Sequence, residues 1–431
     1  MGVVPAAGVT ALFCRYEPHH TPISLAARPG WRNMDAPPHR LIARPRMSDQ
    51  TRLIHLPDPP GAPSRTVGPA IQKGSTVLLP NAAALYDDDL VTYGRAGLSA
   101  QAALIEGLKA LEGAQAVTLY PSGVAAIAGA LLAVLKAGDE ILVVDNAYKP
   151  TRRFCDQVLK RFGVTTRYFD ARTAPETLLA GASERTALIL MESPGSLSFE
   201  MQDVPRIAEL ARARGILTAI DNTWSAGLLF RPLAHGVDLS IQALTKYVGG
   251  HSDVFMGSVA VNDPILAKTL ASHVDNLGWA VSGDDAYTML RGLRTLPLRL
   301  ARHGASGVEI ARWLGEQPEV KGLLHPALPG HPDHALWTRD YSGACGLFGF
   351  TLRPAPQTAV DAFLNTLRLF GLGFSWGGFE SLAISCDPQL KVRSHHGDYG
   401  GPLMRLHVGL EDPEDLIADL RHGLDAFATL A

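Results

Sequence analysis

Two charged residues directly follow apolar, strand-like runs and could act together on a small molecule. Lys246 follows the run Val237–Gln242, and Asp221 follows the run Ile216–Ile220. A partly buried lysine can keep its amine neutral near physiological pH, as a Schiff-base nucleophile requires. A carboxylate at the end of a strand can hold a pyridinium nitrogen protonated, so this pair favours chemistry on a pyridine aldehyde. A surface lysine and a helix N-cap aspartate are the ordinary interpretations of each residue alone.

A glycine turn further upstream could bind a phosphate group. Gly123 and Val124 begin a helical sequence after the strand-like run Ala116–Tyr120. Backbone N–H groups at a helix N-terminus are unpaired and lie at the positive end of the helix dipole, so they suit an anion.

Tyr148 follows another strand-like run, Glu140–Val144, and its ring could stack on a pyridine. Turn formation and core packing explain these features singly, but with the lysine and aspartate they predict pyridoxal phosphate (PLP) as cofactor.

From about residue 98, short apolar runs alternate with amphipathic helices, which predicts an α/β fold with a mainly parallel sheet covered on both faces. The predicted strands are 116–120, 140–144, 164–169, 186–191, 216–220, 237–242 and 257–261. A long helix at 284–302 and another at 306–315 follow, and then isolated strands near 346–352 and 403–409 with helices at 356–369 and 412–429. We predict four parts: a disordered leader (1–46), an N-terminal arm (47–97), a large PLP-binding domain (98–292) and a small α+β C-terminal domain (293–431).

Composition argues against several other classes of protein. The chain has 431 residues and a formal net charge of −3, which gives no reason to expect nucleic acid as a partner. No apolar run is long enough to span a bilayer. The four cysteines are scattered without a CxxC pair, which argues against a disulfide framework or a zinc site and is typical of a reducing compartment such as the cytoplasm. The Pro- and Arg-rich leader lacks the order of a secretory signal, and our hypothesis is that translation begins at Met47.

The order of these segments resembles the Cys/Met-metabolism PLP enzymes of fold type I, and among them the β-lyases, from about residue 64 to the C-terminus. The matching segments are Thr92-Tyr93-Gly94-Arg95, Pro121-Ser122-Gly123, Asn146-Ala147-Tyr148, Glu192-Ser193-Pro194-Gly195-Ser196, Asp221-Asn222-Thr223, Ala243-Leu244-Thr245-Lys246-Tyr247, Ser375-Trp376-Gly377-Gly378-Phe379-Glu380-Ser381 and Arg405-Leu406-His407-Val408-Gly409-Leu410-Glu411. The resemblance implies a homotetramer, a dimer of dimers in which subunits complete each other's active sites.

The resemblance also implies a role for each candidate residue. Lys246 would form the Schiff base with the cofactor, Asp221 would pair with the pyridine nitrogen, and Tyr148 would stack on the ring and either assist proton removal or simply hold the ring. The phosphate would be bound by Gly123, Val124 and Thr245, and from the neighbouring subunit by Tyr93 and Arg95. The substrate α-carboxylate would be bound by Arg405, with Ser375, Trp376 and Tyr93 nearby.

Three residues favour β-elimination over γ-chemistry within this family. Trp376 stands where relatives with γ-chemistry usually carry leucine, Ser196 stands where they carry asparagine, and Ala243 stands where they often carry serine. The resemblance therefore implies that the substrate is cystathionine, a small-molecule amino acid. A γ-lyase, a γ-synthase and a broad cysteine-S-conjugate lyase remain alternatives. A non-catalytic PLP-domain effector module is an alternative of another class, although no basic helix-turn-helix segment precedes the PLP-binding sequence.

Overall fold

The computed structural model describes residues 48–54, 66–87, 90–395 and 397–431. The predictions of a disordered leader and of a start at Met47 lie outside these residues. The described helices are α1 (Asp49–Ile54), α2 (Ser99–Glu112), α3 (Gly123–Val134), α4 (Lys149–Gln157), α5 (Pro175–Ala180), α6 (Val204–Arg212), α7 (Pro264–Asn276), α8 (Gly283–Gly315), α9 (His334–Asp340), α10 (Gln357–Thr366), α11 (Asp387–Leu390) and α12 (Pro413–Leu430).

The apolar runs of the first half build a seven-stranded sheet. Its strands are β1 (Ala116–Tyr120), β2 (Glu140–Val144), β3 (Thr165–Phe169), β4 (Thr186–Glu192), β5 (Leu217–Asp221), β6 (Leu239–Gln242) and β7 (Gly257–Val261). Their order across the sheet is β1-β7-β6-β5-β4-β2-β3. All neighbours from β6 to β3 are parallel, and β7 is antiparallel to both of its neighbours. The mainly parallel sheet predicted from the sequence is therefore confirmed.

A second sheet of five strands follows along the chain, and its strands are β8 (Val320–Leu324), β9 (Leu347–Leu352), β10 (Gly371–Leu372), β11 (Leu382–Ser385) and β12 (Leu403–His407). Their order is β10-β11-β12-β9-β8. The strands predicted near 346–352 and 403–409 are confirmed as β9 and β12, which pair directly with each other, whereas β8, β10 and β11 were not predicted. Short strands such as β11 carry too few residues for a period-two pattern to be visible in the sequence.

Each sheet has an apolar core of its own. The core of the large sheet is built from buried side chains of its strands and of helices such as α2, α3, α6 and α8. The core of the small sheet includes Phe348, Phe350, Phe363 and Phe427, which come from β9, α10 and α12. Aromatic side chains of this size contribute strongly to core stability, so each sheet can be held by its own packing. No helix among the described residues is both long and apolar enough to span a membrane.

Helix α8 belongs to both cores and differs from the prediction. It runs for 33 residues where two helices, 284–302 and 306–315, were predicted. Gly304 lies in the gap between the two predicted helices, and its lack of a side chain allows close packing, since a Cβ there would lie 2.3 Å from the Ala344 carbonyl oxygen. Arg299 on the same helix donates to the carbonyl oxygens of Tyr247 (2.7 Å) and Val248 (3.2 Å). Helix α8 thereby supports the segment that follows Lys246.

Candidate active site

A cavity of about 390 Å³ lies at the C-terminal ends of the parallel strands. Ligands of open α/β sheets bind at this edge, because loops from several strands converge there. All but two of the predicted site residues line the cavity, namely Gly123, Val124, Tyr148, Asp221, Thr245, Lys246, Ser375, Trp376 and Arg405. The structure therefore brings together residues that are up to 282 positions apart in the chain, from 123 to 405.

Lys246 lies in the turn after β6 with its amine in the cavity. Its Nζ donates to Ser375 Oγ at 2.8 Å and lies 5.3 Å from the centre of the Trp376 ring. Burial and the nearby Arg405 together lower the pKa of Lys246 to about 8, against the opposing effect of Asp221. A lysine with this pKa has a substantial neutral fraction at slightly alkaline pH, as a nucleophile or a proton acceptor requires.

Asp221 ends β5 and faces the cavity beside Lys246. One of its oxygens, Oδ1, accepts from the backbone N–H of Thr223 at 3.1 Å and from its hydroxyl at 2.5 Å. The Thr223 hydroxyl in turn accepts from the backbone N–H of Ala243 at 2.9 Å. Burial raises the pKa of Asp221, while the Thr223 bonds and Lys246 lower it. This carboxylate is fixed in direction and could pair with a cationic ring nitrogen placed above it.

The turn between β1 and α3 places backbone N–H groups at the cavity. Ser122 caps α3 by accepting from the N–H of Ala125 at 3.1 Å. The N–H groups of Gly123 and Val124 precede the first intrahelical bond, so they are free to bind an anion. The glycine is required by packing, because a Cβ at Gly123 would lie 2.4 Å from the Cβ of Ala243. The phosphate turn and the lysine segment therefore touch directly.

Thr245 lines the same cavity with its hydroxyl already engaged. The Thr245 Oγ1 donates to the Met256 carbonyl at 3.2 Å and accepts from the Met256 N–H at 3.0 Å. These bonds join the lysine segment to the loop before β7. The predicted role of Thr245 in phosphate binding stays a prediction, since the hydroxyl would have to turn its single proton from the Met256 carbonyl to a phosphate oxygen.

Arg405 projects from β12 and is buried in the cavity wall. Its Nη2 donates to the carbonyl oxygens of Phe374 (3.2 Å) and Ser375 (3.1 Å). Its Nε is buried without a hydrogen-bond partner among the described residues. Burial also lowers the pKa of Arg405. A buried guanidinium with an unpaired N–H is costly unless an anion binds to it, so this arrangement suits a ligand carboxylate.

Tyr148 lies at the start of α4 and is 41% exposed toward the cavity. Its backbone N–H donates to Glu192 Oε2 at 2.7 Å. Burial raises the pKa of the Tyr148 phenol, and the carboxylates of Asp221 and Glu192 raise it further. The phenol is therefore protonated at neutral pH, which favours a stacking or hydrogen-donating role over that of a free base.

Glu192 is a site residue to which the sequence assigned no role. It ends β4 directly beside Asp221, with which it is paired in the register of the parallel strands. Burial raises the pKa of Glu192 well above its usual range, and the negative charge of Asp221 adds to the effect. Two adjacent carboxylates in one cavity wall do not both ionise readily, and the larger rise in pKa at Glu192 favours the proton on Glu192 over Asp221. In the sequence, only its position at the end of a predicted strand, in the segment 192–196, pointed to a place in the site.

Tyr93 and Arg95 are the two predicted residues that do not reach this cavity. They line a separate hollow together with Leu90, Asp275 and Asn276. The Arg95 guanidinium lies 5.1 Å from the centre of the Tyr93 ring. Neither residue lines the Lys246 cavity of its own chain, and their role in another subunit's site stays a prediction.

The donor set of the cavity fits pyridoxal phosphate. A primary amine, a carboxylate, free helix N-terminal N–H groups and an aromatic ring are the partners that its aldehyde, pyridine nitrogen, phosphate and ring require. Among the described residues, no group of three or more His, Cys, Asp or Glu side chains is arranged to hold a metal ion.

Comparison with known proteins gives the same result. The family described as "Cys/Met metabolism PLP-dependent enzyme" matches residues 50–425. A cystathionine beta-lyase from Bordetella avium is 43% identical over 88% of this chain and 98% of its own. An L-alanine/L-glutamate racemase from Wolbachia pipientis wMel is 36% identical over 83% of this chain and 92% of its own. The crystal structure of a cystathionine gamma-lyase from Lactobacillus plantarum complexed with L-serine has a TM-score of 0.82 at 29% identity, covering 89% of this chain and 100% of that chain.

Proposed function

Since this chain belongs to the Cys/Met metabolism PLP-dependent enzyme family, we propose that it is a carbon–sulfur β-lyase that splits cystathionine into homocysteine, pyruvate and ammonia. Several cystathionine beta-lyases, at 38 to 43% identity over most of the chain, support this activity. Relatives named as a gamma-lyase and as a racemase use the same fold, so the reaction has to be argued from the site.

The observation that carries the proposal is the position of the Lys246 amine between Ser375 and Trp376. The amine is bonded to Ser375 Oγ at 2.8 Å, and the Trp376 ring lies 5.3 Å away. β-Elimination needs one proton removed, at Cα, whereas γ-elimination needs a second one removed at Cβ. A bulky indole beside the amine restricts its travel, which favours the reaction that needs one deprotonation.

Each cavity residue has one task in this proposal. Bound PLP supplies an electron sink for the carbanion formed at Cα. Lys246 accepts the Cα proton and returns it to the sulfur that leaves. Asp221 keeps the pyridine nitrogen protonated, and Arg405 binds the substrate carboxylate through its unpaired Nε. Gly123, Val124 and Thr245 bind the phosphate, and Tyr148 stacks on the ring.

Product analysis tests the reaction. Purified protein loaded with PLP and given cystathionine should yield pyruvate and homocysteine. The appearance of 2-oxobutyrate and cysteine would identify a γ-lyase instead. Conversion of L-alanine to D-alanine without pyruvate would identify a racemase. Lys246→Ala should abolish the visible absorbance of the bound cofactor together with turnover, and retention of both would refute the assignment of the lysine.

We further propose a homotetramer, a dimer of dimers in which Tyr93 and Arg95 bind the phosphate of the neighbouring subunit. Their distance from the Lys246 cavity within one chain supports this arrangement. Mixing Arg95→Ala chains with Lys246→Ala chains should restore activity, because some sites would then receive both intact residues. A lack of recovery in verified mixed oligomers would contradict a shared site.

The proposed setting is cytoplasmic methionine biosynthesis, where cystathionine is split. The buried free thiols of Cys155, Cys345 and Cys386 are compatible with a reducing compartment. The separate cores of the two sheets support a division into a PLP-binding domain (98–292) and a C-terminal domain (293–431). Residues 47–97 act as the arm in this proposal.

A further inference from the structure

The segment 373–378, here called the Ser375 turn, is held by two side chains of one strand. On β12, the Nη2 of Arg405 donates to the carbonyl oxygens at 373, 374 and 375, at 3.4, 3.2 and 3.1 Å. His407 lies two residues further on, hence on the same face of the strand, and its Nε2 accepts from the Gly377 N–H at 3.0 Å. One side chain therefore binds the first half of the turn, and the other binds the second half.

The Ser375 turn rests directly on the backbone of Lys246. Gly377 has a φ of +84°, and a Cβ there would lie 2.8 Å from the Lys246 carbonyl carbon. The same turn presents Ser375 and Trp376 to the Lys246 amine. A small displacement of Gly377 would therefore move both side chains relative to the reacting amine.

Behind the turn, His407 and His303 form a fully buried pair whose rings lie 5.2 Å apart. Because the Nε2 of neutral His407 accepts from Gly377, its proton is on Nδ1, and this Nδ1 has no partner among the described residues. The Nδ1 of His303 lies 2.8 Å from the Val408 carbonyl and must carry a proton to bond it. His303 Nε2 is then left with a lone pair and also has no partner in the described part of the chain.

These two unpartnered nitrogens are complementary, since one carries a proton and the other a lone pair. The carbonyl of Gly378 also lies 3.1 Å from His407 Nε2. A proton on that Nε2 would, however, face the N–H of Gly377 and remove its acceptor. The tautomer with the proton on Nδ1 keeps the bond from the Gly377 N–H, while its Nδ1–H has no partner among the described residues.

We propose that neutral His407, backed by His303, is the positioning residue that fixes the Ser375 turn over Lys246. The inference rests on the roles proposed above for Lys246 and Arg405. Arg405 has to bind the substrate carboxylate as well as the turn, so its bonds to the turn are shared with the ligand. His407 touches neither substrate nor cofactor and holds the turn in every state.

The charges around the pair favour neutral rings. Lys246 and Arg405 face His407, and Arg299 on α8 faces His303. Burial, helped by these neighbouring cations, lowers the pKa of His407 to about 3 and that of His303 to about 4. The acceptor for Gly377 is therefore present throughout the working pH range of an enzyme.

Two substitutions at position 407 separate positioning from packing. In His407→Gln, the amide oxygen can still accept from Gly377, whereas His407→Leu fills the space but leaves a buried N–H unpaired. We expect His407→Leu to lower kcat about tenfold to hundredfold with a smaller change in KM, because an unpaired buried donor shifts the turn. His407→Gln should stay within about threefold of wild type. The exposed His422, replaced by leucine, is the matched control.

Two readouts other than turnover complete the test, namely the pH at which the visible absorbance of bound PLP titrates and the melting temperature of the cofactor-free protein. His407→Leu should shift the titration and His407→Gln should restore it. Equal melting losses in both variants with unchanged titration and kcat would overturn the proposal. If His407→Leu is insoluble, the variant His303→Met is measured instead. A wild-type titration and kcat in His303→Met would refute the support of His407 by His303. If the wild-type enzyme formed no pyruvate, the proposed function would fail, while the titration would still test the turn.

Discussion

Replacing Gly123 with alanine should weaken cofactor binding through a clash with Ala243. The added Cβ would lie 2.4 Å from the Ala243 Cβ and 3.0 Å from its Cα, whereas ordinary contacts begin near 3.4 Å. One of the two segments must therefore move by about 1 Å. Either movement changes the distance between the α3 N-terminus and the lysine segment, which have to bind the same small molecule.

The size of the effect follows from the cost of overpacking, about 1–3 kcal/mol. We expect Gly123→Ala to lower the free energy of unfolding of the cofactor-free protein by about that amount. We also expect the Kd for PLP to rise about tenfold or more, since 1.4 kcal/mol of lost binding corresponds to a factor of ten. Equilibrium dialysis gives the Kd, and denaturant unfolding gives the stability.

A double-mutant cycle isolates the contact. Ala243→Gly removes the Cβ that the new methyl group would strike, so the double variant Gly123→Ala/Ala243→Gly should recover much of both losses. Because the Ala243 Cα remains at 3.0 Å, recovery will be partial. Gly330→Ala is the matched control, since a Cβ there meets nothing within 4 Å. Additive losses in the double variant, or a wild-type Kd in Gly123→Ala, would refute the steric argument.

Three further predictions concern the titratable groups of the cavity. Lys246 has a folded-state pKa of about 8 against an ordinary value of 10.5. Between these two pH values the unfolded chain binds more protons than the folded chain. The free energy of unfolding of the cofactor-free protein should therefore rise with pH across pH 8–10.5. Measured as the difference in unfolding free energy from Lys246→Met, this rise has an upper bound of about 3 kcal/mol, and partial solvation of the amine makes it smaller. A difference that does not change with pH would show that the pKa of Lys246 is not lowered in the folded protein. Glu192→Gln should be nearly as active as wild type at neutral pH because Glu192 is already protonated, whereas Glu192→Ala should lose activity with the bond to Tyr148; equal kcat/KM losses in both would contradict a neutral Glu192. Thr223→Val should lower kcat about tenfold because Asp221 loses its hydroxyl bond, and steady-state kinetics with serine at position 223 as control would show whether the hydroxyl is responsible.

Much of the site was predictable because it lies at the ends of strands. Lys246, Asp221 and Tyr148 each follow a short apolar run, and the rule that ligands bind at the carboxyl edge of a parallel sheet brings them together without knowledge of the structure. The predicted parallel sheet depends on the same local pattern. Their distances and pKa values depend on burial, which the local pattern does not contain.

Two histidines to which the sequence assigned no role come from elements far apart in the chain. His303 lies in the middle of a helix, and His407 lies at the end of a strand in the small sheet. In sequence each is a single histidine on an apolar face, which is ordinary in a core. Their relation appears only when α8 and β12 pack together. Gly304 shows the same limit, because the close contact with Ala344 that requires a glycine inside the helix is tertiary and is not contained in the local sequence.

The separation of Tyr93 and Arg95 from the Lys246 cavity bears on how cofactor binding depends on protein concentration. If each site borrows these residues from a neighbouring chain, assembly and cofactor binding are linked equilibria, and each strengthens the other. Dilution would then release cofactor as well as dissociate subunits. Added PLP would in turn lower the protein concentration at which the assembly forms. The activity of a single chain would therefore depend on how much of the protein is present around it.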